Sequence, residues 1–300
     1  MAAAEVESSI QRLKLSHEVC VIKNTTQLPE CFELESENVL SFDCEGVDLG
    51  RNGQVSIVQL GTKQKSFLFD VLDKSCSSDI ILFLKSILEN NSIIKIIHDC
   101  KMDSDALWYH FGISLSKCHD TQKWDSVLKN QEMNLNKTLS SYGCPTNEER
   151  DKNVYAINHQ FWAIRPLTTS MIEWASGDVQ SLFQLYEAQL HEAEMSPISS
   201  SIISQCEEKS EENINFLKLK CCGSAIIHKT QRGRFIGKGG SNIRALEQKG
   251  KYFYQFIGPK DGGTLNIYAK DENSLRIGLQ TIQKYQSPQR NNNNRYGNYW

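Results

Sequence analysis

Asp43, Glu45, Asp103 and Asp178 stand in local settings that aim four carboxylates at one shared pocket. The first two lie in Val39-Leu40-Ser41-Phe42-Asp43-Cys44-Glu45-Gly46, an apolar run of strand character in which the D-x-E spacing puts both acids on one face of a pleated strand. Like charges placed together repel, and an unpaired buried carboxylate is costly, so the pair needs a cation. Oxygen ligands without Cys or His favour hard ions such as Mg²⁺ or Mn²⁺. Two such ions roughly 3.5–4 Å apart can activate a water and stabilise the leaving oxygen of a phosphodiester.

The elements that must position these acids can be read from periodicity. Ile93-Ile94-Lys95-Ile96-Ile97-His98-Asp99 predicts a second buried strand, followed by a helical pattern (Asp103, Leu107, Tyr109) that places Asp103 on the first turn. Asp178 precedes Leu182, Leu185 and Tyr186 at helical spacing and so projects from one face of a helix. A blander role is available to some of these residues. Asp103 and Asp120 also suit helix caps, Asp99 and Asp105 read as bystanders, and His98 reads as a packed, hydrogen-bonded histidine at a strand end.

In their order along residues 35 to 190, the motifs Phe42-Asp43-Cys44-Glu45-Gly46, Val55-Ser56-Ile57-Val58-Gln59-Leu60, His98-Asp99-Cys100-Lys101-Met102-Asp103, Asp120-Thr121-Gln122 and Phe161-Trp162-Ala163-Ile164-Arg165-Pro166-Leu167-Thr168 lead to Asp178. This series resembles the DEDD family of 3′-5′ exonucleases, the ribonuclease D and Werner-like branch, and within it the exonuclease-domain-containing and Egalitarian-like subgroup. The resemblance implies an α/β, ribonuclease-H-like domain with a mixed sheet. It also implies two divalent ions, Mg²⁺ or Mn²⁺, on Asp43, Glu45, Asp103 and Asp178. One departure stands out. The family has a Tyr four residues before the last Asp, or a His five before it, to orient or deprotonate the attacking water; here those positions hold Trp174 and Glu173. An indole has only an N–H donor and cannot take a proton. Glu173 has the chemistry of a general base, although an exposed Glu on a helix is commonplace.

A second chemistry-bearing stretch is Arg232-Gly233-Arg234-Phe235-Ile236-Gly237-Lys238-Gly239-Gly240-Ser241-Asn242-Ile243. It resembles the KH domain, whose Gly-x-x-Gly loop joins two short helices and lets a nucleic-acid backbone come close. The implied RNA contacts are Arg234, Ile236, Gly237, Lys238, Gly239, Gly240 and Ile243. A βααββα order fits the surroundings: a strand at Ala225-Ile226-Ile227, a helix from Ile243, strands over Lys251 to Ile257 and Thr264 to Ala269, and a closing helix from Ser274 to Tyr285. This gives a second, smaller α+β domain.

Charge divides the same way. Residues 214–286 carry 13 Lys or Arg against 4 Asp or Glu, whereas residues 1–213 carry 18 against 32. Attraction for phosphate should therefore come from the C-terminal part. The expected organisation is an N-terminal extension (1–34), an exonuclease domain (35–194), a Ser-rich then acidic linker (195–213), a KH domain (214–286) and a disordered low-complexity tail (287–300). Ten cysteines without a Cys-x-x-Cys pair, no signal peptide and no membrane-length apolar run predict free thiols and an intracellular protein of cytoplasm or nucleus. Three readings of function follow: a metal-dependent 3′-5′ exonuclease on single-stranded RNA, with DNA as the other polymer; an exonuclease fold kept as a catalytically weak or inactive RNA-binding adaptor; or a scaffold whose acidic domain contacts a basic protein. Protein partners are not specified by these residues.

Overall fold

The computed structural model describes residues 17–73, 78–150, 153–218, 220–250, 252–258 and 262–286. The chain divides into two compact units, Met1–Lys218 and Leu219–Trp300.

In the first unit, β1 (Glu18–Ile22) is followed by a 3-10 helix (Thr25–Ser36), β2 (Val39–Val47), β3 (Gln54–Gly61), β4 (Lys65–Asp70), α1 (Ser78–Leu88), β5 (Ile94–Ile97), α2 (Lys101–Phe111), β6 (Cys118–Asp120), α3 (Thr121–Leu128), α4 (Leu135–Ser141), α5 (Val154–Ile157), α6 (Thr169–Glu194) and α7 (Ser199–Asn215). The six strands form one mixed sheet in the order β1-β4-β3-β2-β5-β6. The hairpins β2-β3 and β3-β4 are antiparallel, while β1-β4, β2-β5 and β5-β6 are parallel. Side chains alternate along β2, so Phe42 and Cys44 enter the apolar layer shared with α1 and α2, leaving Asp43 and Glu45 on the opposite face. On that face α6 crosses β2 to β5, and Trp162, Met171, Trp174 and Ala175 pack over Ile57 and Leu68. A bulge interrupts the β2-β3 register just after Glu45, and a Cβ at Gly46 would stand 1.9 Å from the Gln54 carbonyl oxygen. Only glycine fits there.

The stretch expected as a linker is folded as α7. Cys206, Ser210, Asn213 and Ile214 recur at helical spacing and are buried against α2, α3 and β6. The acidic residues that suggested a solvated linker occupy the helix's outer face. Asn213 donates to Asp99 Oδ1 (3.2 Å) and Asp120 Oδ2 (2.7 Å), Ser210 Oγ accepts from the Asp120 backbone N–H (3.2 Å), and Ser104 Oγ donates to the Ile214 carbonyl (2.7 Å). Asp120 is indeed a cap, accepting from the N–H groups of Gln122 and Lys123.

The second unit runs β7 (Cys221–His228), α8 (Lys229–Ile236), a 3-10 turn (Lys238–Gly240), α9 (Ser241–Gly250), β8 (Tyr252–Ile257), β9 (Gly262–Ala269) and α10 (Glu272–Gln286). Its antiparallel sheet has the order β7-β9-β8. Ile227, Phe235, Tyr254, Leu265, Ile267, Leu275 and Ile282 form its core. The expected disordered tail lies outside the described residues.

Candidate active site

Asp43, Glu45 and Asp178 converge: one carboxylate oxygen from each lies within 4.8 Å of the others. Residues 43 and 45 share a face of β2 because the strand repeats every two residues, and the packing of α6 across that face delivers Asp178. Glu45 and Asp178 are buried and Asp43 is half-buried. Burial pushes the Asp43 carboxyl well above its ordinary range, and the neighbouring charges of Asp103, Glu45 and Asp178 push it further, with Arg150 opposing. Asp103, on the first turn of α2, is beside Asp43 but outside the three-acid group, and its Oδ1 accepts from the Cys44 backbone N–H at 2.9 Å. Burial lifts its pKa to about 7 against the backbone hydrogen bonds it accepts.

Trp174 and Glu173 separate cleanly. Four residues before Asp178, Trp174 shares its helix face and is buried; its Nε1–H donates to Asp178 Oδ2 at 3.0 Å. Glu173 is about 140° around the helix from Asp178 and exposed, so it is not brought to the acids. His98 lines the same cavity as Asp43, Leu135, Arg150, Asp178 and Leu182. Both its ring nitrogens are engaged, Nε2 with the Met133 carbonyl (2.9 Å) and Nδ1 with Thr121 Oγ1 (2.8 Å). Asp105 is held by Arg51, and Asp99 by Lys101, away from the acid group.

Two residues that sequence reasoning missed complete the surroundings of Asp178. Asn147 Nδ2 donates to Asp178 Oδ1 (2.8 Å) and to the Trp174 carbonyl (2.9 Å), and Arg150 Nη1 donates to Asp178 Oδ2 (2.5 Å). Burial works against the Arg150 charge, but Asp178, Asp43 and Glu45 outweigh it and hold the guanidinium above its usual pKa. The approach of Asn147 depends on Gly177, where a Cβ would meet the Asn147 amide at 2.8 Å. Both residues sit in a polar loop with no periodicity to mark them. The signal was indirect: three crowded carboxylates call for a cation.

The donor chemistry fits a hard divalent ion, since three convergent carboxylates supply only oxygen. Gln59, directly across the ladder from Asp43, adds a fully buried amide without a hydrogen-bond partner among the described residues.

In the second unit, helices α8 and α9 meet at Gly237-Lys238-Gly239-Gly240. Gly237 (φ 75°), Gly239 (56°) and Gly240 (82°) are all left-handed, and a Cβ at Gly237 would stand 2.8 Å from the Asn242 backbone nitrogen. Asn242 Nδ2 donates to the Arg234 carbonyl (2.9 Å), which ties the two helices across the loop. Lys238 and Gly239 are exposed, the Arg234 guanidinium lies over the Tyr285 ring at 5.4 Å, and Ile236 and Ile243 are half-buried.

A mixed sheet crossed by an acid-bearing helix, with an acidic cluster on one face, defines a DEDD-type exonuclease domain. Residues 20–192 match the family described as 3′-5′ exonuclease, and the chain belongs to that family. Among its relatives are the piRNA biogenesis protein EXD1 of Homo sapiens, 29% identical over 173 residues (53% of this chain, 34% of the relative), and ribonuclease D of Haemophilus influenzae, 25% identical over 189 residues (62% and 45%). The chain thus spans less than half the length of these relatives. Trypanosoma brucei RNase D in complex with RNA U12 has the same fold, with a TM-score of 0.58 at 22% identity over 69% of this chain and 72% of that one.

Proposed function

We propose that this protein is a metal-dependent 3′-5′ exonuclease that trims single-stranded RNA, carried by the convergence of Asp43, Glu45 and Asp178 in an exonuclease fold. Those three carboxylates would hold the first divalent ion, and Asp43 with Asp103 a second. Bound ions would supply the Lewis acidity and charge neutralisation that phosphodiester hydrolysis needs. The chain's own part is to aim the acids. Asn147 and Trp174 fix the Asp178 carboxylate, the Cys44 N–H fixes Asp103, and the β2 pleat fixes the D-x-E pair. Neither Trp174 nor Glu173 replaces the family's proton acceptor, so turnover is expected to be slow.

The second unit is proposed to be a KH module that grips the substrate. Support comes from its βααββα order, its left-handed glycine loop between two helices, and its surplus of positive charge. The RNase D relative in complex with RNA favours RNA as the polymer. A specific observation supports the adaptor reading as second: both oxygens of Asp178 are already hydrogen-bonded to protein donors.

The test is incubation of 5′-labelled and 3′-labelled RNA with Mn²⁺ or Mg²⁺. Stepwise shortening of the 5′-labelled strand that disappears in Asp43→Asn supports the exonuclease. RNA binding without trimming supports the adaptor.

A further inference from the structure

Asp178 lies beneath a set of protein donors that fill much of its coordination capacity. Its Oδ2 receives Arg150 Nη1 at 2.5 Å and Trp174 Nε1 at 3.0 Å, and its Oδ1 receives Asn147 Nδ2 at 2.8 Å. A carboxylate oxygen has two lone-pair directions, so Oδ2 has none left for a metal ion while both N–H groups remain. Arg150 is also drawn by Asp43 and Glu45, the other two members of the acid group, and it lines the cavity between Asp43 and Asp178. The guanidinium thus sits where a positive charge is most favoured. It cannot leave by losing its proton, because arginine stays charged in proteins, so it leaves only by moving.

We propose that Arg150 is a built-in cation of the acid cluster, and that it and a divalent metal ion exclude one another at the Oδ2 oxygen of Asp178. Metal uptake then requires the Arg150 guanidinium to withdraw, and until it does the chain itself supplies one positive charge against the three carboxylates. Two cations sharing one carboxylate oxygen in a buried pocket repel, and the ion must also displace a charge-assisted hydrogen bond. The inference rests on the reading of the acid cluster as a metal site, and it adds how occupancy is regulated.

Mn²⁺ binding to the full chain, followed through the electron paramagnetic resonance of free Mn²⁺, tests it without reference to turnover. Arg150→Gln is expected to bind Mn²⁺ more tightly than the wild type, on the order of tenfold, and adding Asp43→Asn should abolish that gain. Arg150→Lys keeps a positive charge to support folding but loses the planar fork, so it should bind a few-fold more tightly than the wild type and serves if Arg150→Gln does not fold. Equal or weaker affinity in the variant that folds, or no bound Mn²⁺ in the wild type, Arg150→Gln and Arg150→Lys alike, overturns the proposal. RNA trimming is scored separately. Tighter Mn²⁺ binding without trimming removes the exonuclease and leaves the built-in cation standing; trimming with unchanged affinity does the reverse.

Discussion

Replacing Trp174 with tyrosine should raise nuclease activity, because it returns a group with an oxygen lone pair to the face of α6 that carries Asp178. The fold should tolerate the change. The indole is buried, with ring centroids 5.5 Å from Trp162 and 5.9 Å from Phe161. Losing one ring leaves a void of roughly 30 Å³, which at about 24 cal/mol per Å³ costs under about 1 kcal/mol. Poorer aromatic packing adds about another 1 kcal/mol, small beside a domain stability of about 5–15 kcal/mol. The indole N–H bond to Asp178 Oδ2 is removed, but a phenol can also donate there, and Asn147 still holds Oδ1. A positioned proton acceptor is typically worth about 10²–10⁴-fold in rate. Because the new hydroxyl need not sit in the best position, a gain of at least about tenfold is the expected outcome. Single-turnover shortening of 5′-labelled RNA at saturating Mn²⁺ measures it, in the wild-type and Arg150→Gln backgrounds so that metal access does not limit the comparison. Trp174→Phe removes the N–H and gains no acceptor, and it should stay at or below wild type. A folded, Mn²⁺-loaded Trp174→Tyr protein no faster than wild type in either background would show that proton acceptance is not what limits this site.

Gly177→Ala should destabilise the first unit by about 1–2 kcal/mol in urea unfolding, although Gly→Ala within a helix ordinarily gains up to about 1 kcal/mol. The Cβ evicts the Asn147 amide from Asp178, and a more stable variant would refute that packing. His119 stacks on Trp124 with centroids 3.8 Å apart, hydrogen-bonds Gln189, and has its pKa lowered to about 3 by burial. Its folded pKa is below its unfolded one, so the neutral ring's contribution is complete above about pH 6.5 and is lost as pH falls toward 3. At pH 5 the loss is about 2 kcal/mol, and the difference between wild type and His119→Gln should shrink by that amount between pH 7 and 5; a pH-independent difference would mean that the ring protonates without cost. Lys238→Asp with Gly239→Asp should weaken RNA binding and reduce the slope of log affinity against log salt by about one for each phosphate the loop no longer neutralises. Unchanged affinity at fixed salt would remove the glycine loop from the RNA grip.

The acids were legible in the sequence because regular elements carry them. A strand repeats every two residues and a helix every 3.6, so D-x-E at 43 and 45, first-turn Asp103 and Asp178 ahead of Leu182 and Leu185 declare their faces locally. The βααββα order after residue 220 was legible for the same reason, with glycines marking the left-handed turns. Helix α7 was not. Its buried stripe is Cys206, Ser210, Asn213 and Ile214, half of it polar, and those polar residues are buried because Asp99, Asp120 and the Asp120 N–H lie opposite them. Hydropathy treats Ser and Asn as solvent-facing, and their partners are 90 and 93 residues away. Asn147 and Arg150 were hidden likewise: they lie 31 and 28 residues before the carboxylate they serve, in a loop that reads as surface.

In the sequence, Trp174 signifies only a missing proton acceptor; in the fold its indole N–H joins Asn147 and Arg150 around one carboxylate. That changes what separates an enzyme from an adaptor here. Three acids within 4.8 Å cannot all stay ionised without positive charge, whichever function is served. Part of that charge is Arg150, whose half-buried guanidinium is paired with the buried Asp178 carboxylate, so that its removal would leave Asp178 without a cation partner. If substrate or metal shifts the Arg150 side chain, the same carboxylates are free to take divalent ions and hydrolysis becomes possible. Otherwise the pocket is satisfied internally and the fold is stable as an RNA-binding body. The two functional readings therefore differ in one measurable quantity, the free energy of exchanging Arg150 for a divalent ion at Asp178.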